Sequence, residues 1–243
     1  MSTLSIIGTP IGNLEDVTIR ALKVLGSSDL VLCEDTRMTK RLFDRHGISV
    51  PTKSYHMHSK ISRTDEIIDL LKNGTTEKGK NEIRISLVSD AGTPGISDPG
   101  SELVSRIRKE CAAEISAGEL KIEAIPGPSA LTSALSIAGV PCADFTFLGF
   151  LPHKKGRETL FKEVAASERT MVFYESPHRI LKTLDSLVEH LGSAGVAKKV
   201  TICRELTKIF EEVVAGTAQD VKVYFEAHAD KVRGEFVVIV SGE

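Results

Sequence analysis

The chain has 243 residues, of which 41% are hydrophobic and 26% are charged, as in ordinary globular proteins. This composition excludes a disordered chain, a collagen and a coiled coil, and the length allows one large domain or two compact ones. The 31 lysines and arginines nearly balance the 33 aspartates and glutamates, so a nucleic acid would bind only through local basic patches. The longest uninterrupted apolar run, Phe236–Val240, has five residues, which predicts no membrane-spanning helix.

Apolar runs rich in isoleucine and valine alternate with amphipathic stretches of helical length along the whole chain. The runs predict ten strands, near residues 4–7, 29–33, 52–57, 83–88, 121–125, 145–150, 170–174, 199–203, 211–215 and 235–240. This alternation is typical of an α/β fold with a largely parallel sheet. Ten strands are many for one sheet in a chain of this length, so we expect five strands in each of two domains.

The expected boundary is the segment Pro126-Gly127-Pro128, which interrupts regular structure after the fifth predicted strand. We therefore expect an N-terminal α/β domain over residues 1–126 and a C-terminal α/β domain over residues 127–243. The first sheet should be mostly parallel. The gap between residues 203 and 211 is too short for a helical crossover, which predicts an antiparallel hairpin and a mixed second sheet.

Three loops rich in glycine and proline each follow a predicted strand of the first domain: Gly8–Asn13, Ser89–Gly100 and Ile125–Ala130. Ligands of open α/β sheets bind at the carboxyl ends of strands, and glycine lets backbone approach a ligand closely. These loops therefore predict a ligand site. Neither nucleotide motif is present, because Gly8–Asn13 lacks the third glycine of GxGxxG and the P-loop-like Gly74–Asn81 precedes a strand.

Charged segments follow other predicted strands. The sequence Glu34-Asp35-Thr36-Arg37 follows the second strand, and helical spacing places Arg37, Lys40 and Arg41 near one face of the next helix. The segment after the third strand surrounds Tyr55 with the basic residues Lys53, His56, His58, Lys60 and Arg63. Such a mixture suits phosphates and an unstacked base, although a solvated face is the alternative. No third ligand accompanies His56 and His58, so we expect no metal site.

Two further charged segments lie in the second half. Pro152–Arg157 is a basic loop after one strand, and Tyr174–Arg179 follows the next strand and opens a helix. Ser176 is the candidate N-cap, with Pro177 at the first helical position. A positive charge such as Arg179 is unfavourable in a first helical turn, which favours a functional role for this segment.

These segments together resemble the tetrapyrrole methylase superfamily of S-adenosylmethionine-dependent methyltransferases. Within it, they are similar to the branch that methylates the ribose 2′-oxygen of a cytidine in the decoding region of 16S rRNA. The matching segments are GTPIGNLEDVTIRAL (8–22), LCEDTRMTKRL (32–42), SDAGTPGISDPG (89–100), IPGPSAL (125–131), FLGFLPHKKGR (147–157), FYESPHRI (173–180), CRELTK (203–208) and GEFVVIV (234–240).

The resemblance implies two α/β domains with the methyl donor, S-adenosylmethionine, in a cleft between them. It also implies a cytoplasmic homodimer that acts on the 16S rRNA of the small ribosomal subunit. The implied donor-binding residues are Pro10, Asp90, Ala91, Gly92, Thr93, Ser129, Ala130, Tyr174, Glu235, Phe236 and Val237.

A ribose hydroxyl is a weak acid, so a general base would assist its attack on the methyl group. Our candidates are Glu34 and Asp35, with Arg37 orienting the ribose phosphate or tuning the acid, and Glu175 and His178 are second choices. The residues expected to contact RNA are basic: Arg37, Lys40, Arg41, Lys53, Lys60, Lys154, Lys155 and Arg157.

Three other functions stay open at this point. A methyltransferase that acts on tetrapyrrole carbons or on a modified protein residue would use the same donor loops. A non-catalytic ribosome-binding module would have no need of Ser89–Gly100. A phosphate-handling α/β enzyme is weakened by the absent nucleotide motifs.

Overall fold

The computed structural model describes residues 1–55, 61–74, 82–195 and 197–242. The chain divides into two compact units, Met1–Ser129 and Ala130–Glu243. The division falls just after the Pro126-Gly127-Pro128 segment. Within the described ranges, none of the helices combines the length and the apolar character needed to cross a membrane.

The first unit is built, in its described part, on a sheet of five parallel strands, as the sequence predicts. The strands are β1 (Ser2–Ile7), β2 (Leu30–Cys33), β3 (Thr52–Ser54), β4 (Arg84–Leu87) and β5 (Leu120–Ile125). The helices are α1 (Ile19–Gly26), α2 (Thr36–His46), α3 (Ile61–Asn73), α4 (Gly100–Glu110) and α5 (Ala112–Ser116), and a 3-10 turn spans Leu14–Asp16. The strand order is β3-β2-β4-β1-β5, so the loops that follow β2, β4, β1 and β5 leave neighbouring strands at one edge.

Both faces of this sheet are buried. In β2, Leu32 joins a cluster with residues of α3 and α4, whereas Val31 and Cys33 on the other face join a cluster with residues of α1 and α2. Parallel strands covered on both faces need apolar residues at successive positions. This explains why the strands of the first unit appear in the sequence as continuous apolar runs.

The second unit contains a mixed sheet of five strands within the described residues, in the order β6-β7-β10-β8-β9. The strands are β6 (Phe145–Phe150), β7 (Thr170–Glu175), β8 (Lys198–Arg204), β9 (Glu212–Gly216) and β10 (Phe236–Gly242). The helices are α6 (Ala130–Ala138), α7 (Arg157–Ala166), α8 (Ile180–Ala194) and α9 (Ala218–Ala227), with a 3-10 turn at Ala229–Lys231. The antiparallel hairpin expected between residues 203 and 211 is confirmed by the pairing of β8 with β9.

One face of the second sheet carries the main core, where Phe173, Phe236 and Val238 pack with residues of α7, α8 and α9. The opposite face is partly covered by α6, since the Cys203 thiol lies 3.8 Å from the carbonyl oxygen of Ala134. The two faces of this sheet therefore differ in how much of their surface a ligand can reach. The core face is filled by helices, and the α6 face leaves Phe150 exposed.

Candidate functional site

The three glycine- and proline-rich loops of the first unit are joined by hydrogen bonds. The Thr9 amide donates to the Gly92 carbonyl oxygen (2.9 Å), and the Gly92 amide donates to the Thr9 carbonyl oxygen (3.1 Å). The Thr93 hydroxyl donates to the carbonyl oxygen of Pro128 (3.2 Å), which adds the loop after β5. The loops after β1, β4 and β5 therefore form one connected assembly.

Two glycines make the closest approach within this assembly. A Cβ added to Gly127 would lie 2.6 Å from the carbonyl oxygen of Gly8, and one added to Gly8 would lie 2.8 Å from the Cα of Gly127. No larger residue fits either position without a backbone shift. These glycines make room for another loop, whereas the sequence pattern led us to expect room for a ligand.

Acidic side chains lie beside this assembly. The Asp90 carboxylate accepts from the Asp35 amide (2.9 Å), and the Glu34 carboxylate accepts from the Asp90 amide (3.4 Å). Burial raises the pKa of Glu34 above its usual value, and the Asp90 carboxylate raises it further. A carboxylate with a raised pKa is better matched to accepting a proton near neutral pH.

Asp35 is placed differently from Glu34. Its carboxylate caps α2 by accepting from the Arg37 amide (2.8 Å), and it also accepts from Arg37 Nε (3.0 Å) and Nη2 (2.6 Å). These hydrogen bonds lower the pKa of Asp35 to about 2. An engaged carboxylate of such low basicity is a weak proton acceptor, so Glu34 has the better properties for a general base.

The donor-binding residues predicted in the first unit lie on or next to the joined loops. Pro10 and Gly92 are buried, Asp90 and Ala91 are exposed, and Thr93 is half-buried. Ser129, which ends the first unit, and Ala130, which begins the second, are both half-buried. Among the donor-binding residues predicted in the first unit, Asp90 and Ala91 are therefore the most exposed.

The donor-binding residues predicted in the second unit have mixed surroundings. The ring of Tyr174 is half-buried, and burial raises the pKa of its hydroxyl. Glu235 is exposed and pairs with Lys208 (2.8 Å). Phe236 and Val237 are buried on opposite faces of β10, and the Phe236 side chain belongs to the core. Any ligand contact of Phe236 would therefore involve its backbone.

The segment Tyr174–Arg179 is held by a buried carboxylate. Glu175 is 1% exposed and accepts from Arg179 Nε (2.6 Å), the Ser176 amide (2.8 Å) and the Thr183 hydroxyl (2.7 Å). The buried Glu175 carboxylate therefore explains the positive charge of Arg179 just before α8.

Glu175 is fully engaged and has no free oxygen to act as a base, whereas His178 is exposed. The prediction that Ser176 caps the helix was wrong, because α8 begins at Ile180 with Arg179 before it.

The basic loop before α7 combines exposed and buried cations. Lys154 and Lys155 are exposed, but the Arg157 side chain is only 9% exposed. The Arg157 guanidinium donates to the Thr183 hydroxyl (2.6 Å) and to the Pro152 carbonyl oxygen (3.3 Å). Arg157 therefore lies inside the unit, although the sequence placed it among the RNA-binding residues.

The other predicted RNA contacts lie in the first unit. Lys40 and Arg41 are exposed on α2, and Lys53 is ion-paired with Glu66. Lys60, together with His56 and His58, lies outside the described residues. In the described ranges, no group of three or more His, Cys, Asp or Glu side chains is arranged to hold a metal ion.

Comparison with known proteins gives the same family along almost the whole chain. A family model described as Tetrapyrrole (Corrin/Porphyrin) Methylases matches residues 3–222. A Thermotoga maritima protein named Ribosomal RNA small subunit methyltransferase I is 42% identical over 243 residues, which is all of both chains. A protein of the same name from Halalkalibacterium halodurans is 44% identical over 241 residues, covering 99% of this chain and 76% of that protein.

Solved structures show the same fold at low sequence identity. The methyltransferase CobJ covers 100% of this chain and 95% of its own with a TM-score of 0.67 and 17% identity. Cobalt precorrin-4 methyltransferase, CbiF, covers 98% of this chain and 94% of its own with a TM-score of 0.63 and 16% identity. The chain therefore belongs to the tetrapyrrole methylase family, and within it to the group that contains the proteins named Ribosomal RNA small subunit methyltransferase I.

Proposed function

We propose that this methyltransferase transfers the methyl group of S-adenosylmethionine to the ribose 2′-oxygen of a cytidine in the decoding region of 16S rRNA. The observation that carries the proposal is the 42% identity, over the full length of both chains, to a protein named as a small-subunit rRNA methyltransferase. The solved structures are less than 25% identical and support the fold alone, so they do not favour a tetrapyrrole substrate.

S-adenosylmethionine, when bound, supplies a methyl group on a positively charged sulfur. The joined loops of the first unit fit such a cation, because the exposed Asp90 and the half-buried Glu34 place negative charge beside them. The first-unit residues proposed to hold the donor are Pro10, Asp90, Ala91, Gly92, Thr93 and Ser129. In the second unit, Ala130, Tyr174, Glu235, Phe236 and Val237 stay predictions.

Glu34 is the proposed general base. It would take the proton of the ribose 2′-hydroxyl as the oxygen forms its bond to the methyl carbon, whose bond to the donor sulfur would break and leave its electron pair on the sulfur. Asp35 and Arg37 have a supporting part, since their ion pair fixes the start of α2 directly after Glu34. Orientation of the hydroxyl by the protein can contribute about 7–11 kcal/mol to such a step.

The proposed RNA contacts are the exposed cations Lys40, Arg41, Lys154 and Lys155, without the buried Arg157. The proposed partner is the small ribosomal subunit, which places the enzyme in the cytoplasm. We also propose a homodimer. Light scattering of the purified chain tests this, and a mass near the 26.3 kDa of one chain would contradict it.

The first experiment measures S-adenosylmethionine binding by calorimetry, followed by transfer of labelled methyl groups to small ribosomal subunits. We expect wild type to bind the donor and Asp90→Ala to bind it more weakly, because that carboxylate lies beside the joined loops. Methyl transfer to RNA, mapped to a ribose of 16S rRNA, supports the proposal. Donor binding without transfer to subunits, together with methylation of a tetrapyrrole, would overturn it.

The proposed base is tested by the pH dependence of single-turnover methyl transfer. Because the pKa of Glu34 is raised, the wild-type rate should fall with acid at a pH above the ordinary glutamate value of about 4.3. Glu34→Gln should transfer the methyl group about 10²–10⁴-fold more slowly than wild type, and its rate should no longer show this fall with acid. A Glu34→Gln variant that retains wild-type rates would exclude Glu34 as the base.

The RNA contacts are tested by the salt dependence of binding. Replacing Lys154 and Lys155 by glutamate should weaken binding to small subunits and reduce the slope of log K against log salt by about 1.5–2. The matched control replaces Lys162 and Lys182, which are also exposed on the second unit, and should retain the wild-type slope. If both double variants show the same slope of log K against log salt, the loop does not contact the RNA.

A further inference from the structure

Phe150, at the end of β6, is a large aromatic residue that is 57% exposed. Its ring centroid lies 5.4 Å from that of Tyr174, and Phe147 lies on Tyr174 at 4.9 Å, both in edge-to-face contact. The three rings form an aromatic group on the sheet face that α6 covers only in part. Exposed single aromatic residues are common, but Phe150 differs from them in its backbone and in its charged neighbours.

A β-bulge sets the direction of Phe150. In the parallel pair of β6 with β7, Phe147 lies opposite Val172 and Phe150 lies opposite Tyr174, so β6 contains an extra residue. Gly149 has a φ of 64°, which glycine adopts without strain. Leu148, which lies between Phe147 and Phe150 in the chain, packs on the core face. The bulge therefore brings Phe147 and Phe150 to one side, and such bulges often redirect a side chain at a functional site.

Positively charged residues follow Phe150 in the chain. The exposed residues His153, Lys154 and Lys155 follow Phe150 within a few positions. The loop is fixed at its start, because Arg179 Nη1 donates to the Leu151 carbonyl oxygen (2.8 Å) and Arg157 donates to that of Pro152 (3.3 Å). An exposed ring and two exposed lysines thus lie within six residues of one another in the chain, on a segment whose start is anchored.

We propose that Phe150 is a stacking platform for one unstacked base of the RNA, while Lys154 and Lys155 bind the adjacent phosphates. The inference rests on the proposed function and names the part of the second unit that receives a single-stranded segment. An exposed aromatic ring beside cations is the usual way in which proteins hold unpaired bases, because every base offers a π-face. Stacking gives affinity for any base, so the choice of nucleotide must come from other contacts.

The chain contains a matched control residue. Phe210, in the loop between β8 and β9, is 55% exposed, which is nearly the exposure of Phe150. Its ring is already covered by the Arg233 guanidinium, 5.3 Å from the ring centroid. Phe210 therefore tests whether exposure of a phenylalanine on this unit is sufficient, without the bulge, Tyr174 and the two lysines.

The experiment uses the fact that the chain has no tryptophan. Phe150→Trp and Phe210→Trp each introduce a single tryptophan, which is excited at a wavelength where the three tyrosines do not absorb, and both are titrated with a single-stranded oligocytidylate RNA of eight nucleotides. We expect quenching of the tryptophan at position 150 and an unchanged signal at position 210. Equal quenching at both positions, or quenching at position 210 alone, would overturn the inference.

Binding constants provide the second readout. Phe150→Leu retains an apolar side chain but no ring, and it should bind the oligonucleotide about 5- to 100-fold more weakly than wild type. Phe150→Tyr should bind within about twofold of wild type, because it keeps the ring. Wild-type affinity in Phe150→Leu would contradict stacking. The tryptophan variants answer the same question even where the leucine variant folds poorly.

Failure of this inference and failure of the proposed function give different results. If wild type methylates small subunits but Phe150→Leu binds the oligonucleotide normally, the stacking platform is excluded and the proposed function stands. If wild type binds no oligonucleotide at low salt, the inference also fails, since a ring beside two lysines binds any single strand. If wild type binds no oligonucleotide and also transfers no methyl group to small subunits, both the stacking platform and the proposed function are excluded.

Discussion

Two strand-end segments with similar chemistry have opposite surroundings. After β2, the Asp35 carboxylate pairs with Arg37, whose side chain is 87% exposed. After β7, the Glu175 carboxylate pairs with Arg179 and is fully enclosed. In the sequence, both are a carboxylate followed within four residues by an arginine, and both suggested function. The difference shows that burial, which the local sequence does not reveal, decides what such a pair does.

The position of each carboxylate in its strand explains the difference. Glu175 is the last residue of β7 and lies on the core face, opposite Phe236 in β10. Helices α7 and α8 cover that face and supply Arg157 and Thr183 to the carboxylate. Asp35 lies beyond the end of β2, where its carboxylate caps α2 at the surface. One pair is therefore a part of the core, and the other fixes a helix end.

The largest expected effect is that of Glu175→Gln. Removing this charge leaves the guanidinium groups of the buried Arg157 and the half-buried Arg179 without a counter-ion, which should cost about 3–5 kcal/mol of unfolding free energy. Urea unfolding followed by circular dichroism measures it. The control is Glu158→Gln, since Glu158 is 73% exposed in its pair with His190 and should change stability little. Similar losses in both variants would show that burial is not what distinguishes Glu175.

An intermediate effect is expected for Gly127→Ala in the joined loops. The new Cβ would lie 2.6 Å from the Gly8 carbonyl oxygen, so the loops must separate, at a cost of about 1–3 kcal/mol. The affinity for S-adenosylmethionine should fall together with the stability, and calorimetry measures that affinity. The control is Gly26→Ala, where a Cβ meets no atom within 4 Å. A Gly127→Ala variant with unchanged affinity would show that loop packing does not shape the donor site.

The smallest effect is expected for Asp35→Asn, which keeps a helix-capping side chain and removes the exposed ion pair. At pH 7 its Tm should lie within about 2 °C of wild type. The pKa of Asp35 is lowered to about 2, so its stabilising charge is fully present above about pH 4 and is lost as the pH falls through 2. The two melting temperatures should therefore converge in acid. A constant difference between pH 5 and pH 2 would contradict the low pKa.

Much of the fold could be predicted from the sequence because strand signals are local. Outside β3, part of whose predicted range is not described, each predicted strand matches an observed one to within about two residues. The hairpin followed from a gap too short for a helix. Composition also singled out the three loops of the first unit, but it predicted room for a ligand and not the contact between Gly8 and Gly127 that the structure shows.

What could not be predicted depended on distant partners. Arg157 looked like a surface cation because its acceptors, Glu175 and Thr183, lie on other elements. The helix start at Ser176 was wrong because the Ser176 carbonyl oxygen accepts from the amide of Arg179 (3.0 Å), which closes a separate turn before α8 begins at Ile180. The sequence did not predict that Phe150 lies on the same face as Phe147. Strand periodicity alone places the two residues on opposite faces, and a one-residue bulge changes the direction of Phe150.

The strand order of the second unit has a consequence for the synthesis of the protein. Strand β10 lies between β7 and β8, although it is the last of the five along the chain. The first unit is complete once Ser129 has emerged from the ribosome, whereas β7 and β8 wait with open edges until Gly242 follows. At ordinary elongation rates that delay is on the order of ten seconds. During that interval the unpaired edges of β7 and β8 can pair with another chain, a hazard that the finished sheet removes.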